Sequence, residues 1–452
     1  MLGISIILFL IIITHIFLLS KLVFFPYPEL FIYSYLTKIG LVPYKQIFDQ
    51  HFPGIMFFPI NLTTLGIDTV FEMRLLHFAI ISLTQILLFV VVKKLFNSNL
   101  LALASNILYL IWQPFFEGYV LWIDSFIPLF LLPALYFLVS KKSNKSILLS
   151  GLFLGTALLF KQVAAPLIFM TFLFLILTNK PLKKNLSFLL GLAVPILILV
   201  LFVTYKNIWE DFIYWSVTFN LTTFAEMGSK LPDLFGFIKV LPLFAVSFVF
   251  LALTYFKKKS TEILMITFFI IGSLVFSFAR FDYIHLQPAV PFAIIGIVLG
   301  LKELQKKNIH YYLGLYLLFS ILFIIPFYKA SFGDKVLFFG DNEEKISNAV
   351  LRYVNSGNSV FAFGTTPHLY YLTKTRPPGN VFVFQFPWFM VEAEEKILQG
   401  IITDPPEIIV RDKNAEVENM NLVKYMPKIK AHIDRYYKVV DKIDGTEIMV
   451  KN

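Results

Sequence analysis

The sequence predicts a multi-span α-helical membrane protein with about eleven transmembrane helices and a small C-terminal extracytoplasmic α/β domain. Three observations predict it. Of 452 residues, 58% are hydrophobic and only 15% charged, with a mean hydropathy of +0.75; a soluble domain carries about 25% charge. Apolar runs of roughly 15–25 residues, long enough to cross the hydrocarbon core, recur as far as Tyr328. Lys clusters fall in every second connection between those runs, the positive-inside pattern of a membrane protein.

The clustering also disposes of the net charge of +10 as a sign of nucleic-acid binding, because the excess Lys sits in short loops rather than in one basic patch. The bilayer is the expected partner. The chain has no Cys, which excludes disulfides, thiolate metal sites and a Cys nucleophile.

The first run, Gly3 to Phe25, lacks a charged leader region and a small-residue cleavage pattern, and reads as a retained span. The others are 72–92, 99–112, 124–140, 146–160, 163–179, 187–205, 237–256, 262–279, 287–301 and 311–328. KK at 93–94, KKSNK at 141–145, KPLKK at 180–184, KKK at 257–259 and KELQKK at 302–307 mark the cytoplasmic connections if the N-terminus is inside. Residues 26–71, 113–123, the turn near Lys161, 206–236 and 280–286 then face outward, and an odd number of spans puts the C-terminus outside too. The expected location is the plasma membrane, multi-pass. Residues 146–179 read as two short spans turning at Lys161 and Gln162, since one long helix breaks the alternation of Lys clusters. Residues 54–71, interrupted by Pro59, Gly66 and Asp68, are expected along the outer interface.

The character changes after Tyr328, so the expected domains are 1–328, a membrane domain with an outer first loop at 26–71, and 329–452, a soluble α/β domain. NSVFAFG (358–364), NVFVF (380–384) and PEIIVRD (406–412) read as buried strands. VEAEEKILQGII reads as a helix and YKVVDKIDGTEIMV as a hairpin through Asp444-Gly445.

A charge at the centre of a membrane helix costs about 2.5–3.5 kcal/mol on insertion scales, and here the polar residues gather at the outer ends of the runs. A transporter of lipids or glycans, the alternative class, places binding groups near the midplane. A helix starting near Pro28 sets Glu29 and Tyr33 on one face, where Glu29 also suits the positive helix end. Asp49-Gln50-His51 enters a turn at Phe52-Pro53-Gly54, and Asp124 opens a span beside Trp122. Lys161, alone between two apolar segments, calls for an anion, either a phosphate or a lipid headgroup. Arg280, Asp282, Tyr283 and His285 cluster in RFDYIHLQPAVPF. HExxH, GxxxxGK[ST] and GxSxG are absent, and no spacing demands a metal, so neither metal nor cofactor is predicted.

In order and spacing these segments resemble the GT-C superfamily of polyprenyl-phosphate-sugar-dependent glycosyltransferases, above all its protein O-mannosyltransferase-like and aminoarabinose-transferase-like members. The resemblance rests on an acidic residue just after span one, on PEL.IY…G..PYKQIFDQHFPG, on FKQ, on RFDYIHLQPAVPF and on TPHLYYLTKTRPPG. It implies an inverting transfer of a monosaccharide from a polyprenyl-phosphate donor to a hydroxyl of a lipid, glycan or protein at the outer face. The family's first-loop signature is Asp-Glu followed by a Tyr; here Glu29 stands alone with Leu30 beside it, which leaves Glu29 and Asp49 both open as the catalytic carboxylate. A glycosidase needs two carboxylates. A phosphate leaves as an anion, so one base suffices. The resemblance implies substrate-binding roles for Tyr33, His51, Asp124, Lys161, Gln162, Arg280, Tyr283 and His285, with Lys161, Arg280 and His285 on the phosphate side.

Overall fold

A computed structural model describes residues 2–140, 143–178, 181–304, 309–333 and 335–452. Lys141, Lys142, Lys180 and residues 305–307 of the Lys clusters lie outside the described residues.

Each predicted apolar run is helical, because hydrocarbon leaves the backbone no partner but itself. Leu2–Ser20, Val70–Phe96, Leu182–Lys206, Leu234–Lys258 and Ile309–Ser331 are long and apolar enough to cross a membrane. Asn99–Phe115, Pro128–Val139, Asn144–Phe160, Ala165–Leu177, Thr261–Leu274 and Val290–Leu304 are shorter. The turn expected at Lys161 is present: its extended backbone (φ −153°) ends one helix, and the short turn Gln162–Ala164 starts the next.

The chain forms two compact units. The first comprises Met1–Phe25, Phe71–Leu201 and Lys230–Lys335 and is built of helices. Small residues draw two of its helices into backbone contact: a Cβ on Gly151 would lie 2.2 Å from the Phe188 carbonyl oxygen, and one on Gly191 2.0 Å from that of Leu148. Gly151 and Gly155 make the small-xxx-small spacing that favours such packing in lipid, and their helix ends at Lys161.

This unit also buries a chain of neutral polar groups. His15 Nε2 lies 3.0 Å from Gln113 Oε1, and His15 Nδ1 lies 3.0 Å from Gln85 Nε2. Asn106 Nδ2 donates to the Gln85 carbonyl at 2.7 Å. Gln113 Nε2 continues the chain to the Gly118 carbonyl at 2.9 Å, and Gln287 Nε2 donates to the carbonyl of Gln113 at 2.9 Å. Buried polar groups hold their place only when paired, and this pairing pins the turn leading to Asp124.

The second unit comprises Pro26–Val70, Phe202–Ser229 and Val336–Asn452, so the polar C-terminal segment shares its core with two earlier stretches. Its sheet has four strands, β1 (Val360–Phe363), β2 (Ile408–Asp412), β3 (Tyr437–Ile443) and β4 (Thr446–Lys451), in the order β1-β2-β4-β3. β1 and β2 are parallel, with Phe361 beside Ile409, and the helix Pro387–Thr403 connects them. The β3–β4 hairpin turns at Asp444 and Gly445, both at positive φ (45° and 93°) as a two-residue turn of this kind requires.

NVFVF is not a sheet strand, contrary to expectation. The Arg376 segment bonds the free side of β1, its carbonyl accepting from Val360 N–H at 3.0 Å. Phe382 pairs with the first loop instead: its N–H donates to the Gln46 carbonyl at 2.8 Å and its carbonyl accepts from Phe48 N–H at 3.0 Å.

Candidate active site

Glu29 sits in the first turn of the helix Pro28–Lys38, which starts after extended Tyr27 with Pro28 at a position that needs no N–H donor. Tyr33 follows one turn later on the same face. Its hydroxyl donates to Asp49 Oδ2 at 2.8 Å. Asp49 Oδ1 accepts from His51 N–H at 2.7 Å and lies 3.0 Å from His51 Nδ1. Tyr44, in the left-handed region (φ 62°), closes the loop by donating to the His51 carbonyl at 2.7 Å. Phe57 stacks on Tyr33 at 5.2 Å, while Phe382 and Phe384 meet the ring edge-on.

The two carboxylates differ in surroundings. Both oxygens of Asp49 are engaged. Glu29 is 8% exposed and its Oε2 has no hydrogen-bond partner. Burial lifts the Glu29 carboxyl from its ordinary 4.5 to about 8; its own backbone N–H opposes the rise and the charge of Asp49 adds to it. A carboxyl with a vacant oxygen that titrates near neutral pH has the properties of a general base.

The first unit holds a second cluster. Lys161 Nζ donates to both oxygens of Asp124, at 2.9 and 2.7 Å, and Asp124 is fully buried. His285 Nδ1 lies 2.9 Å from Asp124 Oδ2 and 3.2 Å from Lys161 Nζ. Phe276 offers its ring face to Lys161 Nζ at 5.7 Å. Burial and the Lys161 charge lower the His285 pKa, against the pull of Asp124. Nearby in sequence, Arg280 Nε donates to Asp282 Oδ2 at 3.0 Å, and Lys230 reaches Asp282 Oδ1 at 3.4 Å. Glu117 Oε2 accepts from Ile284 N–H at 3.0 Å and fixes the backbone next to His285. The anion that Lys161 calls for is thus supplied within the chain by Asp124.

The dolichyl-phosphate-mannose-protein mannosyltransferase family matches residues 50–205, a stretch that contains His51, Asp124 and Lys161. No curated protein matches the chain in sequence. ArnT from Cupriavidus metallidurans, solved bound to undecaprenyl phosphate, superposes with a TM-score of 0.69 at 11% identity, over 99% of this chain and 97% of ArnT. The archaeal oligosaccharyltransferase AglB from Archaeoglobus fulgidus, solved with an inhibitory peptide and a dolichol-phosphate, superposes with a TM-score of 0.57 at 10% identity, over 98% of this chain and 74% of AglB. The chain has the fold of ArnT and AglB. The family match covers about a third of the chain.

Within this fold the predicted site residues fall into two groups, each within one unit. Glu29, Tyr33, Asp49 and His51 belong to the second unit; Asp124, Lys161, Gln162, Arg280, Tyr283 and His285 belong to the first. Gln162 opens the short turn after Lys161, and the Tyr283 ring faces Lys239 Nζ at 5.7 Å. Tyr44, Glu117 and the His15–Gln113 chain were missed. Tyr44 carries no signal beyond its place in PYKQ, and Glu117 is one acidic residue in a connection between two helices. The His15–Gln113 chain was signalled only by polar residues standing singly in apolar runs. Among the described residues no three His, Asp or Glu side chains are gathered as metal ligands.

Proposed function

We propose that this chain transfers a monosaccharide from a polyprenyl-phosphate donor to a hydroxyl of a lipid, glycan or protein acceptor, with inversion, at the outer face of the plasma membrane. The observation that carries the reading is Glu29: buried, with Oε2 free of partners and a carboxyl titrating at about 8. The acceptor oxygen forms its bond to the anomeric carbon as the bond from that carbon to the phosphate oxygen breaks. The bonding pair leaves with the phosphate, and the acceptor proton passes to Glu29. A displacement from the side opposite the leaving group inverts the centre. No acid is needed, since the phosphate departs as an anion.

Asp49 serves as the positioning carboxylate. Its oxygens are held by Tyr33 and His51, and its charge adds to the rise in Glu29 proton affinity that burial causes. Lys161 and Arg280 are the cations on the side of the donor phosphate and His285 is a neutral hydrogen-bonding group beside them, with Asp124 orienting Lys161 and His285; Gln162 and Tyr283 complete the donor side. The carriers bound by ArnT and AglB, undecaprenyl phosphate and dolichol-phosphate, support a polyprenyl phosphate here. The alternation of Lys clusters supports a cytoplasmic N-terminus, with the first loop and the C-terminal segment outside.

The test is incubation of the purified protein with labelled polyprenyl-phosphate monosaccharides. Release of the prenyl phosphate with at least one sugar is expected. Binding without release across a panel of hexose and pentose donors and hydroxyl acceptors contradicts the reading.

A further inference from the structure

The stretch from Asn207 to Met227, between the spans Leu182–Lys206 and Leu234–Lys258, has no part in the roles above. Asn207 takes a left-handed φ of 51° and ends the first of these helices. The chain then resumes as helical segments from Trp209 to Met227.

One face of these segments is buried on the loop that carries Asp49. Phe212 lies 5.3 Å from both Tyr44 and Phe52, and Trp215 stacks on Phe48 at 4.8 Å. Asn220 Nδ2 donates to the Gln50 carbonyl at 2.9 Å. A surface helix in water turns polar side chains outward. Here a second row, Trp209, Ile213, Val217 and Leu221, is apolar and exposed, Leu221 to 75%.

We infer that this second row is seated in the outer surface of the bilayer, with lipid as its occupant, so that the helix holding the Asp49 loop rests on the membrane and sets the depth of the Glu29–Asp49 cluster. Chain position supports lipid: the stretch begins directly after one membrane-length helix and ends shortly before another. The spacing supports it too. Leu190, Val194, Leu197, Leu201 and Tyr205 form the exposed apolar row of the preceding span, and Trp209, Ile213, Val217 and Leu221 continue that period in sequence. Composition agrees, since Tyr205, Trp209 and Tyr214 are the aromatic types that settle where acyl chains meet headgroups. From Trp209 to Met227 the charged residues, Glu210, Asp211 and Glu226, are all acidic, with Lys206 and Lys230 outside them, so the row itself makes an apolar contact.

The chain lacks Cys, so single Cys residues accept a spin label directly. Full-length protein in phosphatidylcholine nanodiscs would carry the label at Ile213→Cys, Val217→Cys, Leu221→Cys or, as a water-facing control, Glu226→Cys. Labels at the first three positions are expected to collide several-fold more with oxygen than with a water-soluble nickel chelate, and the control the reverse. Nickel access equal to that of the control overturns the inference. So does exclusion of both reagents with spin–spin broadening, which would make a second copy of the chain the occupant. The readout uses no substrate, so its failure is separate from failure of the proposed activity.

Discussion

The hydroxyl of Tyr33 donates to Asp49 Oδ2 at 2.8 Å across 16 residues of sequence. That bond fills one side of Asp49 and leaves Glu29, one turn before Tyr33, as the carboxyl with a vacant oxygen. The division between an occupied and a vacant carboxyl organises the predictions for this loop.

Glu29→Gln should raise stability in a pH-dependent way. The folded Glu29 titrates at about 8 against an ordinary 4.5. Between those values the folded chain keeps a proton that the unfolded chain has released. The contribution to stability is therefore full below pH 4.5 and is lost as pH rises through 8. Thermal unfolding in detergent should show Glu29→Gln gaining Tm over the native chain between pH 5 and pH 9, with little difference at the acid end. Parallel curves contradict the buried, proton-holding Glu29.

Asp49→Asn should move the acid limb of the pH–rate profile to lower pH. The charge of Asp49 is one cause of the raised Glu29 pKa, while burial, the larger cause, remains. The maximum rate should also fall, because Tyr33 and His51 lose a charged acceptor worth about 1.5–3 kcal/mol per bond. A lower rate with an unmoved limb contradicts the coupling.

Lys161→Ala should destabilise by about 3–5 kcal/mol, since it strips a buried carboxylate of its main partner. Lys161→Ala with Asp124→Asn should recover most of that loss. A donor KM that stays raised in the recovered double variant identifies Lys161 as a phosphate contact. A KM that returns to the native value with stability assigns Lys161 to structure alone.

Gly191→Val should cost about 1–3 kcal/mol or more by overpacking, because a Cβ there meets the Leu148 carbonyl oxygen at 2.0 Å. A Tm equal to the native value contradicts the close helix contact that precedes Lys161.

Much of the fold is legible locally. Apolar runs become helices because hydrocarbon leaves no alternative, and the turn at Lys161 follows from a charge placed between two short runs. Asp444-Gly445 turns the hairpin because both positions tolerate positive φ. Pairing between distant residues is harder to see. Asp124 meets Lys161 and His285, 37 and 161 residues away, and no spacing signals such closure. NVFVF has the composition of a strand, yet its bonds go to the loop at Gln46 and Phe48, since the Arg376 segment already occupies the side of β1. His15, Gln85 and Asn106 look like isolated polar residues in apolar runs until the helices bring them together.

The most direct test of Glu29 as the base is single-turnover release of prenyl phosphate from a labelled polyprenyl-phosphate sugar, comparing native chain with Glu29→Gln at pH 8. A general base contributes about 10²–10⁴-fold. A loss of that size, with donor binding intact and the variant at least as stable as the native chain, is the predicted result. Turnover by Glu29→Gln within a few-fold of native would contradict the account.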